Sequence, residues 1–86
     1  MASFKVLIKP SAAKELEDID GKQDRRRVAQ RIQDLATDPR PPGCEKLSGE
    51  DKYRVRQGDY RIVYAFDEKK SVVTVVKVGH RKEVYR

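Results

Sequence analysis

Alternation of apolar and polar side chains is clearest between Tyr53 and Tyr64, where two runs of β-branched and aromatic residues flank a Gly-Asp pair. Such a pair between two such runs is a strong signal for a β-hairpin. Because successive side chains of a strand point to opposite faces, a two-residue turn at Gly58 and Asp59 predicts one apolar face. That face carries Tyr53, Val55, Tyr60, Ile62 and Tyr64.

The other face of the predicted hairpin carries Arg54, Arg56 and Arg61, and the two-residue turn sets Arg56 opposite Arg61. Like charges placed opposite each other in a sheet are destabilising. A bound polyanion would account for them. Arginine stems that lie over apolar neighbours, with their charged ends in water, would account for them too. A three-residue turn would put Arg56 and Arg61 on different faces, so the register is part of the prediction.

Two helices are predicted ahead of the hairpin. The apolar run Phe4–Ile8 indicates a first strand, and Ser11 is the expected cap of a first helix from about Ala12 to Ile19. In the second helix, apolar residues recur at the spacing of one buried face. These residues are Val28, Ala29, Ile32, Leu35 and Ala36. The Asp38-Pro39 pair ends this helix, because the residue before a proline is pushed out of the helical region.

Two further strands complete the predicted sheet. The second hairpin strand runs on to Phe66, and Ser71–Val78 is apolar at nearly every position, which is typical of a strand covered on both faces or central in its sheet. The element order is then β-α-α-β-β-β. It predicts an α+β fold in which a helical hairpin packs on one face of a mainly antiparallel four-stranded sheet. The apolar face of the β-hairpin is expected to meet the helices.

The composition indicates one small basic domain. The 86 residues suffice for a single core, and 1–86 is interpreted as one domain. A net charge of +6 suits a nucleic-acid surface or an acidic protein partner. The single cysteine, Cys44, excludes a disulfide within the chain and fits a cytoplasmic protein. No apolar run reaches the roughly 18 residues of a membrane span.

Several kinds of catalytic site are excluded by the residues present. The sequence has no Gly-rich phosphate loop, no carboxylate pair in an apolar setting and no Cys/His cluster for a metal. The Arg25–Arg27 run is interpreted as a solvated helix face. What remains is a group of cations with one phenol. Its members are Arg54, Arg56, Arg61, His80, Arg81 and Tyr85.

This group suits phosphate chemistry. Arginine binds phosphate with two parallel hydrogen bonds, and arginines around a phosphodiester can stabilise the charge that develops in its transition state. RNA carries its own nucleophile, the 2′-hydroxyl, so an enzyme that cuts RNA need only position it, stabilise charge and move protons. The composition permits this metal-free chemistry without requiring it.

Three segments together resemble the RelE family of toxins, in the RelE/ParE superfamily of bacterial and archaeal toxin–antitoxin modules. They are Lys46-Leu47 with Gly49, the hairpin from Tyr53 to Tyr64, and the tail from Val78 to Tyr85. The β-α-α-β-β-β order agrees as well, so the resemblance covers nearly the whole chain and implies a RelE-like fold.

The resemblance also implies roles for residues. Arg61, Arg81 and Tyr85 match catalytic positions of the family, and Arg54 and Arg56 match two basic positions of its hairpin. Relatives carry lysines at the latter two positions, and one is proposed to donate a proton. Arginine, with a pKa above about 12, is a poor donor.

His80 and Tyr85 are therefore the expected groups for moving protons. Lys52, next to the hairpin, is a further expected RNA contact.

The activity implied by the resemblance is ribosome-dependent cleavage of mRNA in the ribosomal A site, with no cofactor or metal. The expected partners are the ribosome, its mRNA and a small acidic antitoxin like RelB. No association with a membrane is expected. One alternative is a ParE-like protein that inhibits DNA gyrase without being an enzyme. ParE-type chains mostly lack the Arg/His/Tyr set. The other alternative is an RNA-binding module that does not cut.

Overall fold

The computed structural model describes residues 3–49 and 51–80, which form two helices and five strands. The elements are β1 (Lys5–Ile8), α1 (Pro10–Glu17), α2 (Lys22–Asp34), β2 (Glu45–Lys46), β3 (Tyr53–Gln57), β4 (Tyr60–Asp67) and β5 (Val72–His80). Both helices pack on the sheet, so the predicted α+β class and RelE-like architecture are confirmed. None of the helices in these ranges is long and apolar enough to cross a membrane.

The sheet has five strands rather than the four predicted. Its order is β1-β5-β4-β3-β2, with β1 parallel to β5 and the other three neighbouring pairs antiparallel. The additional strand, β2, has only two residues, and both are charged and exposed. No hydrophobic pattern could indicate such a strand, because it exists only through its pairing with Tyr53 and Arg54.

The first helix begins earlier than predicted. It starts at Pro10, whose fixed φ suits the first helical position. Lys9 is the N-cap residue, and its side chain makes no capping hydrogen bond. Ser11 already lies inside the helix, so the prediction that it caps the helix is wrong. Ile19 lies beyond the helix end but is still buried.

The hydrophobic core lies between the helices and one face of the sheet. The predicted buried face of α2 is confirmed by Val28 and Ile32, with Leu35 buried just after the helix end. The fully buried Tyr64 of β4 donates a hydrogen bond from its hydroxyl to the Pro39 carbonyl at 2.6 Å. Burial raises the pKa of the Tyr64 phenol, so this hydroxyl remains a donor at neutral pH.

A β-bulge interrupts β5. Val63 pairs with Lys77 but Tyr64 pairs with Val75, so Val76 is left without a partner on β4. Beyond the bulge, Glu15 of α1 accepts a hydrogen bond from the Val78 backbone N–H at 3.0 Å, and its other oxygen binds Lys77 Nζ at 3.1 Å. Glu15 thereby holds the end of β5 against α1.

Candidate RNA-binding face

The register predicted for the hairpin is the observed one. Gln57 pairs with Tyr60, and Arg56 pairs with Arg61. Gly58 occupies the first central position of the turn with a φ of 61°. Glycine adopts such a positive φ more readily than any other residue, which suits a two-residue hairpin turn. The two-residue turn is therefore confirmed.

The two faces of the hairpin divide between core and surface as the alternation predicts. Val55, Ile62 and Tyr64 are completely buried in the core under the helices. Arg54, Arg56 and Arg61 consequently lie on the opposite side of the sheet, and together they are called the arginine face.

The three arginines differ in their environment. Arg56 is exposed, the Arg54 side chain is only 14% exposed, and Arg61 is 5% exposed. The interpretation that the arginine side chains extend their charged ends into water fits Arg56 but not Arg61. Opposite Arg61 on β5 stands Gly79, which brings no side chain to this face. Charged side chains are rarely this buried unless they are paired, so Arg61 is held in a defined position.

A carboxylate lies among these arginines. The register of β2 sets Glu45 opposite Arg54, and the two side chains form an ion pair and hydrogen bond. The Arg54 guanidinium lowers the pKa of Glu45, with smaller contributions from the charges of Arg56 and Arg61. The role of Glu45 could not be predicted from the sequence, because its position depends on the short strand β2.

Replacing Glu45 with glutamine is expected to tighten binding of a single-stranded RNA oligonucleotide a few-fold, because a negative charge leaves the arginine face. The pKa of Glu45 is lowered in the folded protein, so its ion pair stabilises the fold above the unfolded-state pKa of about 4.3 and is lost as pH falls. The difference in urea stability between wild type and Glu45→Gln should therefore be larger at pH 7 than at pH 3.

The matched control for this prediction is Glu68→Gln, which removes an exposed carboxylate from the turn at the other end of β4. It should change neither RNA affinity nor the pH dependence. Equal effects of the two substitutions would mean that net charge alone is responsible.

The structure places His80 away from the arginine face. His80 pairs with Tyr60, and the two rings meet edge to face with centroids 5.6 Å apart. The cause is the bulge at Val76, because one extra residue reverses which side chains of a strand face the core. Gly79 consequently takes the position beside Arg61, and His80 turns to the side of the helices. The expected grouping of His80 with the arginines is thus not observed.

The remaining expected site residues divide into two groups. Arg81 and Tyr85 lie outside the described residues. Lys52 is partly buried and lines a cleft of about 400 Å³ together with Arg54. Lys9 and Lys77 line the same cleft. Nothing in the sequence connected either lysine with the hairpin, since Lys9 lies between β1 and α1 and Lys77 lies within β5.

The described part of this face can bind phosphate by charge and by directed hydrogen bonds. Arginines at fixed positions offer paired donors to a phosphodiester. Among residues 3–49 and 51–80, no group of three or more His, Cys, Asp and Glu side chains could hold a metal ion.

Comparison with known proteins places this fold among toxins of toxin–antitoxin systems. Residues 6–85 match the sequence model of a family described as ParE toxin of type II toxin–antitoxin system, parDE. No curated protein matches the sequence significantly.

Similar solved structures include RelE toxins. The archaeal RelE–RelB complex from Pyrococcus horikoshii OT3 is 30% identical with a TM-score of 0.82, covering 94% of this chain and 98% of that one. The isolated E. coli RelE toxin is 30% identical with a TM-score of 0.78, covering 96% and 92%. The RelBE2 toxin–antitoxin complex from Mycobacterium tuberculosis, with a TM-score of 0.82 at 23% identity over 96% and 97%, supports the fold alone.

Proposed function

The chain belongs to the ParE toxin family of type II toxin–antitoxin systems, within the RelE/ParE superfamily, and we propose that it is a ribosome-dependent endoribonuclease. It cuts mRNA in the ribosomal A site and so stops translation in the cytoplasm. The observation that carries the proposal is the arginine face, where the buried Arg61 stands between Arg56 and Gly79.

The proposed reaction uses the 2′-hydroxyl of the RNA. The 2′-hydroxyl loses its proton, and its oxygen attacks the adjacent phosphorus to form a 2′,3′-cyclic phosphate. The bond from phosphorus to the 5′-oxygen breaks, and that oxygen receives a proton. Arg61 and Arg81 stabilise the charge on the phosphoryl oxygens. Arg54, Arg56 and Lys52 bind the RNA backbone. The proton transfers belong to Tyr85 and, with a smaller share, to His80.

The arginine face favours cleavage over the two alternatives. A gyrase inhibitor has no need of guanidinium groups held at fixed positions on one face of a sheet. An RNA-binding module would be served by exposed lysines and arginines, whereas Arg61 is almost completely buried. A cation held at a fixed position suits a site that must stabilise the charge of a transition state.

The proposed protein partner is an acidic antitoxin. Two similar structures, from Pyrococcus horikoshii OT3 and from E. coli, are complexes of RelE with RelB. The net charge of +6 gives this chain an electrostatic complement for such a partner. A flexible acidic segment that orders on binding could cover a large part of the toxin surface.

The proposal is tested by adding the pure protein to a translation reaction and mapping the 5′ ends of the mRNA. Cuts that require the ribosome and fall at a constant position relative to the A site would support it. A parallel supercoiling assay with DNA gyrase tests the alternative. Intact mRNA with inhibited supercoiling would replace the proposal by gyrase inhibition, and intact mRNA that binds the protein would leave an RNA-binding module.

Tyr85→Phe and His80→Gln should differ in their effect on cleavage. Tyr85→Phe is expected to lower the single-turnover rate on programmed ribosomes by about a hundredfold or more, the range of general acid–base catalysis. His80→Gln is expected to lower it by only about tenfold, because its ring lies against Tyr60 on the other side of the sheet.

Single-turnover rates at saturating toxin separate chemistry from binding. They should be followed from about pH 5.5 to 8.5. A loss of a hundredfold or more with His80→Gln, together with a flattened pH profile, would make His80 the main proton donor or acceptor. The order expected here would then be wrong.

A further inference from the structure

A second basic cleft lies at the edge of the sheet, where β2 and β3 meet the segment that follows α2. It has a volume of about 470 Å³ and is lined by Arg31, Gly43, Cys44, Glu45 and Arg56. Arg31 comes from α2, on the core side of the sheet, whereas Arg56 belongs to the arginine face. The two arginines thus approach one cleft from opposite sides of the sheet.

Arg31, which lines this cleft, has a side-chain donor without an acceptor. Its Nε atom is buried and has no hydrogen-bond partner in the described part of the chain. Buried donors in native proteins nearly always have an acceptor, so a donor without one calls for a specific explanation. Within residues 3–49 and 51–80, neither Arg31 nor Arg56 forms an ion pair.

The one carboxylate of the cleft is already engaged. Glu45 binds Arg54, and its pKa is lowered chiefly by that contact. Arg31 is also close enough to Tyr64 for its positive charge to act on the Tyr64 phenol. Arg31 therefore lies beside the most buried part of the hairpin, between the core and the cleft.

We propose that this cleft binds a phosphate of the RNA strand next to the one being cleaved, with Arg31 and Arg56 as its ligands. Guanidinium groups are opposite in charge to a phosphodiester and complementary to its hydrogen-bonding geometry. Arg56 is shared between the cleft and the arginine face, so the RNA backbone passes from that face around the edge of the sheet to α2. The identity of the ligand as RNA rests on the proposed function.

The outer face of α2 supplies matched controls. Arg26 and Arg27 are exposed residues of the same helix, and neither lines the cleft. Substituting Arg27 removes the same charge as substituting Arg31 but leaves the cleft intact. Arg31→Met keeps most of the apolar stem, and thermal unfolding verifies that the variant remains folded.

The first test uses an uncleavable RNA tetranucleotide with 2′-O-methyl groups and the full-length protein. The NMR signal of Arg31 Nε–Hε should shift on addition of this RNA, because that donor gains an acceptor. The plot of log affinity against log salt should lose about 0.7 from its slope in Arg31→Met, as for one phosphate contact to a single strand. Arg27→Met should keep the wild-type slope.

Two results would overturn the subsite. One is an unchanged salt slope in folded Arg31→Met. The other is unchanged RNA binding in Arg31→Met together with weakened binding of an acidic antitoxin peptide, which would assign the cleft to the antitoxin.

The second test separates the subsite from catalysis. On programmed ribosomes, Arg31→Met should raise the toxin concentration needed for half-maximal cleavage several-fold and leave the single-turnover rate at saturation unchanged. If the wild type cuts mRNA and Arg31→Met cuts equally well at every concentration, the proposed subsite is wrong but the proposed nuclease activity is supported. If the wild type does not cut but the salt slope still falls in Arg31→Met, the nuclease is wrong while the phosphate subsite stands.

Discussion

Arg61→Met is expected to lower single-turnover mRNA cleavage by about a hundred- to a thousandfold, the usual effect of losing one well-placed donor to a developing negative charge. Arg61 is 5% exposed, so alanine would also remove a buried stem. Methionine keeps most of that volume and removes only the charge and its donors. A loss of this size with little change in stability would assign Arg61 to the chemistry.

Three further variants test whether this result is specific. Arg61→Lys keeps the positive charge but not the paired donors, so it should recover only part of the rate. Arg26→Met removes an exposed arginine from α2 and should cut like the wild type. Arg81→Met should resemble Arg61→Met, because both arginines are proposed to stabilise the charge on the phosphoryl oxygens. Wild-type cleavage by folded Arg61→Met would remove Arg61 from the site, and with it the main support for the proposed reaction.

Ile32→Ala is expected to lower the free energy of unfolding by about 2–4 kcal/mol, as is usual when a large aliphatic side chain is truncated in a core. Ile32 is 1% exposed and lies on the buried face of α2. Urea unfolding followed by circular dichroism gives the free energy. For a domain of this size each kcal/mol corresponds to about 4–8 °C in Tm.

The matched control is Leu7→Ala on the edge strand β1, where the side chain is 44% exposed. This substitution should lower the free energy of unfolding by less, because nearly half of the Leu7 surface is already in contact with water. Similar losses for the two substitutions would mean that α2 contributes no more to the core than the edge strand does.

The elements that local sequence determined are the hairpin and the buried face of α2. Gly58 and Asp59 limit the chain to a tight turn, and alternation then assigns each hairpin side chain to a face without reference to the rest of the molecule. The spacing of Val28 and Ile32 defines the inner face of α2 in the same local way. For this reason the arginine face could be predicted before any tertiary contact was known.

The rest of the site depends on contacts between distant parts of the chain. Glu45 meets Arg54 only because β2 pairs with β3, and Arg31 meets Arg56 only because α2 packs beside the edge of the sheet. The bulge at Val76 determines the face of the sheet on which the His80 side chain lies, since one extra residue exchanges the faces of all later side chains of the strand. Periodicity along the sequence records neither a pairing partner nor an inserted residue, and so only the tertiary structure could place these three side chains.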